Sequence, residues 1–376
     1  MRAIFLSDLH ANLRLPFASL KDGGISSDRL EDVIHILDQV VDLALNGKEK
    51  ARVFILGDLF DSKHPDGPTL VAVSRALRNL AKEGLEVYIL PGNHDAIDRD
   101  GRLYTLQFYG ELHVPGIFVL GHERLEPVPG LVIYSVPWLP ETRAAKRIAA
   151  IRGEMNRKDR NILLFHQAIA GAVTDSGWVS DDGLDPKGFK GFDLALSGHY
   201  HAPRREAGYT YLGAPLHLRF SDPPNDPRGV WVTDLEAKKL SISLHQTKYP
   251  MFGTDEVRLE EGDKVEDLVD LAESAGGLSY LRLVVTGPSS AIASNKERLS
   301  SWKDKAADFG LRVLNLDLRP DRVTARARLT PGPVLSVKDL ARQYAERFAP
   351  EGADTKKLTR LGARLLEEAG EDTGGH

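Results

Sequence analysis

The sequence contains no cysteine, which excludes disulfides, zinc-thiolate centres and cysteine nucleophiles together. Any metal must therefore be held by His, Asp, Glu, Asn or backbone oxygen. Long apolar runs are missing too: no stretch approaches the roughly 20 residues of a membrane-spanning helix. The opening Met-Arg-Ala-Ile-Phe-Leu-Ser-Asp reaches a carboxylate before a signal-peptide apolar region could form. A cytoplasmic protein without membrane association is expected. Nor does charge of one sign dominate, since 49 basic and 54 acidic residues leave a net charge of −5. Bulk electrostatics thus neither announces nor excludes a polyanion partner, which would have to be met by a local patch or by bound metal.

What is present is ample core material. Apolar residues make up 42% and charged residues 27% of 376, so disorder is excluded as a global description and two or three domains are expected. The first ~200 residues alternate short apolar runs with helical patterns, the signature of an α/β fold. The runs are Ala3 to Leu6, Val53 to Leu56, Val87 to Leu90, Val132 to Val136, Ile162 to Phe165 and Leu194 to Leu196. Between the first two, Asp28 as N-cap with Glu31 three residues on, then Leu30, Val33, Ile34, Leu37, Val40, Val41 and Ala44, predicts a helix. A second helix is predicted from about Thr69 to Lys82, ended by Gly84.

Beyond residue 200 the texture changes to short strands at Tyr209 to Leu212, Val230 to Leu235 and Leu240 to Leu244, with a boundary near Tyr249-Pro250. Three segments follow: 1–248, a small α+β unit at 249–331, and two helices within 334–370 beyond the Pro331-Gly332-Pro333 linker. The middle unit reads as strand Tyr280 to Val285, helix Ser290 to Phe309, strand Arg312 to Leu318 and strand Arg322 to Leu329.

Five of the apolar runs end in residues that ligate metals: Asp8-Leu9-His10, Gly57-Asp58, Gly92-Asn93-His94-Asp95, His166, and Gly198-His199-Tyr200-His201. Ligands of open α/β sheets bind beyond the carboxyl ends of the strands, so these residues should converge although ~190 positions separate them. One His at one strand end is more often an ordinary loop residue; five of the twelve histidines at four of these five ends, with Asp58 at the other, form a constellation. Gly57, Gly92 and Gly198 suit a backbone that passes close to a ligand. Carboxylate, amide and imidazole donors together favour manganese, iron or zinc over calcium. Seven candidate ligands exceed the needs of one ion, and two ions ~3.5–4 Å apart can acidify water and clamp the oxygens of an in-line phosphoryl displacement.

At these residues the sequence resembles the calcineurin-like metallophosphoesterase superfamily, whose motifs run D-x-H, G-D, G-N-H-[DE], H and G-H-x-H in this order. The resemblance covers about residues 1 to 220. It implies a β-sandwich of the four-layer metallophosphoesterase type flanked by helices, with one metal held by Asp8, His10, Asp58 and His201. A second would be held by Asp58, Asn93, His166 and His199, and His94 would act on the substrate phosphate. Ser7-Asp8-Leu9-His10, Gly57-Asp58-Leu59-Phe60-Asp61, Ser197-Gly198-His199-Tyr200-His201 and Tyr211-Leu212-Gly213-Ala214-Pro215 resemble the SbcD-type DNA double-strand-break repair nuclease subunits. That resemblance implies a capping domain at 249–331, ATPase-docking helices at 334–370, and a homodimer working with an SbcC-type coiled-coil ATPase. Asp61 stands where some members carry a His; it is assigned here as the carboxylate that orients His94.

The expectation is a two-metal, manganese-dependent DNA exonuclease or endonuclease of repair and recombination. The alternative is a stand-alone phosphodiesterase or phosphatase acting on small nucleotides or phosphoproteins; a non-enzymatic module on the same fold is a third reading. His35, His64, His113 and His122 read as surface residues, and His217 as a possible edge of the site. The basic stretch Arg143, Lys146, Arg147, Arg152, Arg157, Lys158 and Arg160 reads equally as a solvated helix face or a phosphate-backbone contact. Leu70, Val73, Leu77 and Leu80, with Leu103, Leu106 and Phe108, read as core, and the resemblance implies that some of them form the dimer contact.

Overall fold

A computed structural model describes residues 1–174, 177–222, 226–238, 240–263 and 277–321, together with 356 and 359. The chain divides into two compact units, Met1–Pro320 and Asp321–His376. The expected strand at 322–329 and the helices within 334–370 lie outside the described residues, apart from two positions.

In chain order the strands open with β1 (Arg2–Leu6), the two-residue pair β2 (Leu20–Lys21) and β3 (Ser26–Ser27), β4 (Arg52–Leu56) and β5 (Val87–Leu90). Next come β6 (Ile117–Val119), β7 (Arg124–Val128), β8 (Leu131–Val136), β9 (Arg160–His166) and β10 (Leu194–Gly198). The last are β11 (Arg204–Glu206), β12 (Tyr209–Tyr211), β13 (Gly229–Asp234), β14 (Ser243–Gln246), β15 (Met251–Arg258), β16 (Leu278–Gly287) and β17 (Val313–Pro320). Among the described residues the helices with a full range are α1 (Asp28–Leu45), α2 (Gly67–Lys82), α3 (Gln107–Glu111), α4 (Glu141–Glu154) and α5 (Ser289–Asp304).

Two six-stranded sheets carry the fold, ordered β14-β13-β1-β4-β5-β6 and β11-β12-β10-β9-β8-β7. Strands β1, β4, β5 and β6 run parallel, as do β8, β9, β10 and β12. Strand β1 shows why their sequences read as unbroken apolar runs: side chains alternate between faces, and both faces are buried. Ala3 and Phe5 pack with Phe54, Leu56, Ile133, Ile162 and Leu164 in the layer between the sheets. Ile4 and Leu6 pack with Val33, Ile36, Val73 and Leu77 under α1 and α2. The other face of the second sheet, through Val132, Tyr134, Leu163 and Phe165, meets Ala144, Ile148 and Ile151 of α4. Helices, sheet, sheet and helix make the four layers of a mixed α/β sandwich.

A separate parallel sheet, β15-β16-β17, carries α5 over a core that includes Leu281, Leu283, Leu299 and Trp302. Strand β15 was not anticipated, because Met251–Arg258 mixes apolar and charged residues at its edge position. The start of α1 also differs from expectation. Ser27 is its N-cap, the Oγ accepting from the Leu30 N–H at 3.2 Å, because the Asp28 carboxylate is committed to the Ser19 N–H at 2.8 Å. On α2 the cap is Asp66, and Gly84 takes a left-handed φ of 71° after its end.

Candidate metal centre

The parallel pairing of β1 and β4 continues past the strand ends into the loops that carry the first ligand candidates. The Asp8 N–H donates to the Gly57 carbonyl at 3.1 Å, His10 to Asp58 at 3.0 Å, and Ala11 to Leu59 at 2.9 Å. These bonds hold the two loops side by side. Asp8, His10 and Asp58 take φ of 55°, 46° and 50°, and His199 takes 98°, backbone conformations unusual for such residues and characteristic of functional sites. From the second sheet, β9 delivers His166 and β10 leads into His199 and His201.

The structure brings the seven predicted ligands and His94 to one place. Ligand atoms of Asp8, His10 and His201 lie within 4.8 Å of one another, as do those of Asp8, Asp58 and His166, and those of His10, Asp58 and His94. Asn93 Oδ1 is 2.9 Å from His199 Nδ1 and 3.0 Å from His166 Nε2. A single oxygen, Asp58 Oδ2, stands 3.7 Å from His10 Nε2 and 3.3 Å from His166 Nε2. His10 Nε2 and His201 Nε2 are 3.1 Å apart, a spacing at which two imidazoles either share a proton or face a common cation. Two carboxylates, an amide oxygen and four imidazoles fit divalent transition metals, and Asp8, His10, Asp58, His166 and His201 are all buried.

The surrounding groups orient these donors. His166 Nδ1 donates to the Leu56 carbonyl at 2.8 Å, which turns Nε2 toward the centre. The His199 N–H donates to Asp8 Oδ1 at 3.0 Å and the His94 N–H to Asp58 Oδ1 at 2.9 Å. Gly57 has φ of 89°, and a Cβ there would lie 2.0 Å from His166 Nδ1. A Cβ on Gly92 would lie 2.1 Å from Asp58 Oδ1.

Burial disfavours every charge in the cluster, and neighbours decide the outcome. The Asp8 carboxyl is pushed up to about 6 by burial. For Asp58 burial is overcome by the positive charges of His166 and His10, which hold it below the usual carboxylate range; reciprocally, Asp58 raises His166 to about 9 against burial. Burial, with His166 beside it, lowers His199 to about 4. Neutral imidazoles of this kind keep their lone pairs available.

Asp61 departs from its assigned role. His94 Nδ1 contacts the backbone carbonyl of Asp61 at 2.8 Å, whereas the carboxylate lies 3.2 Å from His10 Nδ1 and accepts from Asn12 Nδ2 at 3.1 Å. The chain turn at Asp61 presents the carbonyl to one histidine and the side chain to the other. The sequence reading also passed over Asp95. Fully buried, it accepts from the N–H groups of Asp58 (3.0 Å) and Gly92 (2.9 Å), tying the two motif loops together. Its place in Gly92-Asn93-His94-Asp95 was the available signal. Arg219 Nη2 lies 2.9 Å from His201 Nδ1, and buried Arg228 donates to the His201 carbonyl.

Other candidates stay away from the centre. His35, His64, His113 and His122 are exposed. His217 is buried, its Nδ1 accepting from the Phe252 N–H at 3.3 Å. Within the basic stretch, Arg143 and Arg147 of α4 donate to the carbonyls of Asp100 and His122. Val73, Leu77, Leu80 and Leu106 are core, while Leu103 is 49% exposed. Beside His94 the centre opens into a cleft of about 410 Å³, lined also by Lys63, Arg99 and Trp138. Among the described residues no helix is long and apolar enough to cross a membrane.

Comparison with known proteins places this geometry. The model of the calcineurin-like phosphoesterase family matches residues 1–203. The chain is 26% identical over 191 residues to the DNA double-strand break repair protein Mre11 of Methanopyrus kandleri, covering 46% of this chain and 42% of that one. It is 24% identical over 194 residues to exonuclease subunit 1 of Enterobacteria phage T4, covering 51% and 56%. The chain thus spans about half the length of these relatives. Among solved structures, the calcineurin-like phosphoesterase YfkN from Bacillus subtilis aligns with a TM-score of 0.34 at 13% identity, covering 67% of this chain and 90% of that one.

Proposed function

The chain belongs to the calcineurin-like phosphoesterase family, and on that premise we propose that it is a metal-dependent DNA nuclease subunit that hydrolyses phosphodiester bonds with two divalent ions. The observation that carries the reading is Asp58 Oδ2, which faces His10 on one side and His166 on the other, as a shared ligand would. Asp8, His10, Asp58 and His201 would hold one ion, and Asp58, Asn93, His166 and His199 the other. Bound there, two manganese ions would neutralise phosphate charge and acidify water for attack.

The chain's own groups do the rest. Asp95 fixes the separation of the Asp58 and Asn93 loops through its two backbone hydrogen bonds. The Asp61 carbonyl holds His94 through Nδ1–H, leaving Nε2 to meet the substrate phosphate and, when it carries the second ring proton, to pass that proton to the leaving oxygen. Asp61's carboxylate holds His10 instead.

DNA as substrate is supported by the names of the two relatives, a DNA break repair protein and an exonuclease subunit. The reading extends to a homodimer, formed through the α2 face and the exposed Leu103. It also extends to an SbcC-type ATPase partner, met by the C-terminal helices within 334–370, with residues 249–331 as a capping domain and the cytoplasm as the location. The test is digestion of labelled single- and double-stranded DNA with manganese, magnesium or EDTA, beside a chromogenic phosphodiester. Metal-dependent DNA cleavage is expected. Hydrolysis of the chromogenic ester with both DNAs untouched would favour a small-substrate phosphodiesterase.

A further inference from the structure

The cleft beside His94 has features that the metal ligands do not explain. At about 410 Å³ it sits at the small end of the range of ligand pockets, and Asp61, Ser62, Lys63, Asn93, His94 and Trp138 are among its lining residues. Two of its acids are engaged: the Asp61 carboxylate with His10 and Asn12, and the Asp98 carboxylate with the N–H and Nε of Arg102 at 2.7 and 2.8 Å. Its two cations are less committed. Lys63 Nζ reaches only the Ile97 carbonyl, at 3.4 Å, and Arg99 makes no side-chain hydrogen bond among the described residues. The cleft therefore presents positive charge to an incoming ligand.

Trp138 supplies a flat apolar wall, and its backbone is locked. Its N–H donates to the Pro91 carbonyl at 3.0 Å, immediately before the Gly92-Asn93-His94 loop, and its own carbonyl accepts from the Tyr104 hydroxyl. The indole is the only aromatic ring other than His94 among the residues lining the cleft. An indole on a fixed backbone, lining the same cleft as two lightly engaged cations, matches one nucleotide: a π-face for the base, and guanidinium and ammonium for phosphate.

We infer that this cleft is a nucleotide subsite, in which Trp138 stacks on an unpaired base next to the scissile bond while Arg99 and Lys63 take the adjoining phosphate. The inference rests on the nuclease reading for the position of the scissile bond. Stacking on an indole discriminates little between bases, so the subsite accepts any sequence. A base inside a duplex has both faces covered by its neighbours and must leave the stack to reach Trp138. Cleavage is therefore directed to single strands and frayed ends.

The test uses the full chain and a series of fluorescent single-stranded 12-mers in which one abasic position is walked along the strand. Affinity is read by anisotropy in EDTA, and cleavage separately in manganese. In the wild type one abasic position should weaken binding roughly 10-fold, within the range known for base–aromatic stacking. In Trp138→Ala the same position should cost nothing further, and Trp138→Phe, which keeps a ring, should restore part of the effect. Arg99→Ala with Lys63→Ala should weaken the whole series evenly and flatten its salt dependence. An abasic penalty of equal size in wild type and Trp138→Ala overturns the subsite, and leaves the nuclease reading standing if the DNA is cleaved. A Trp138-dependent penalty without cleavage in manganese leaves the subsite and sinks the nuclease reading. Absence of binding by any 12-mer removes both.

Discussion

Asp58 is the residue on which the centre turns. It is 2% exposed, and its two oxygens serve three histidines: Oδ1 accepts from the His94 N–H, while Oδ2 faces His10 and His166. Asp58→Asn removes a charge from both proposed coordination spheres, so manganese-dependent hydrolysis should vanish while the fold persists. Metal content by mass spectrometry checks this, and full occupancy with unaltered cleavage would sink the two-ion reading. His94 and Asp61 separate chemistry from metal binding. His94→Ser should retain metal and DNA affinity and lose roughly 10²–10⁴ in turnover, the range of general acid catalysis. Asp61→Asn should act otherwise, because its carboxylate supports His10 and only its backbone reaches His94. Metal affinity should fall roughly 10–100-fold, as for other carboxylates that orient a ligating histidine. Equilibrium dialysis of the two variants distinguishes the roles; metal loss in His94→Ser would place His94 among the ligands.

At the scale of elements, the candidate ligands are placed precisely because loops at parallel strand ends keep hydrogen bonding beyond the strands. The price is backbone crowding. Gly92 sits where a methyl group would fall 2.1 Å from Asp58 Oδ1 and 2.5 Å from the Asp58 nitrogen, so the neighbour that would have to move is partly backbone. Gly92→Ala should therefore displace Asp58 and break the Asp95 bonds that join the two loops. A fall in manganese affinity of more than 10-fold is expected with little change in far-ultraviolet circular dichroism, since the sheet interior is untouched. Unchanged affinity would mean that the loop accommodates a side chain, contrary to the close approach seen here.

Across the compact unit, the three-stranded sheet is joined to α1 by a buried cation. Arg29 is 0% exposed, donates to the His217 carbonyl at 2.9 Å, and lies 4.8 Å from the Phe252 ring centroid and 5.3 Å from that of Tyr280. The two rings stack at 4.2 Å, and Tyr280 Oη reaches Asp28 Oδ2 at 3.3 Å. Arg312, just before β17 of the same sheet, bonds Asp32 of α1 at 2.9 Å. Arg29→Met leaves the His217 carbonyl without its buried donor and Asp32 with Arg312 as its cation, so a loss of about 1–3 kcal/mol is expected. Urea unfolding measures it. A loss below about 1 kcal/mol would show that ring stacking alone carries this junction.

The alternation of apolar runs and the helical spacing from Leu30 to Ala44 set β1, β4, β5, β8, β9 and β10 and the first two helices, because burial on both sheet faces writes itself into consecutive residues. The donor types at five strand ends likewise pointed to the residues that the structure gathers into one cluster, since ligation chemistry admits few side chains. Edge strands such as β15 escaped the sequence reading, for an edge with one wet face carries a mixed pattern. So did the assignment of partners. Whether His94 meets the Asp61 carboxylate or its carbonyl, whether Asp95 ties two loops, and whether Trp138 walls the cleft depend on turns a few residues long. They depend also on contacts between segments tens to hundreds of residues apart, and local composition does not encode such distances. Residue type determined which chemistry this chain can perform; the packing of two sheets face to face decided which atoms face each other to perform it.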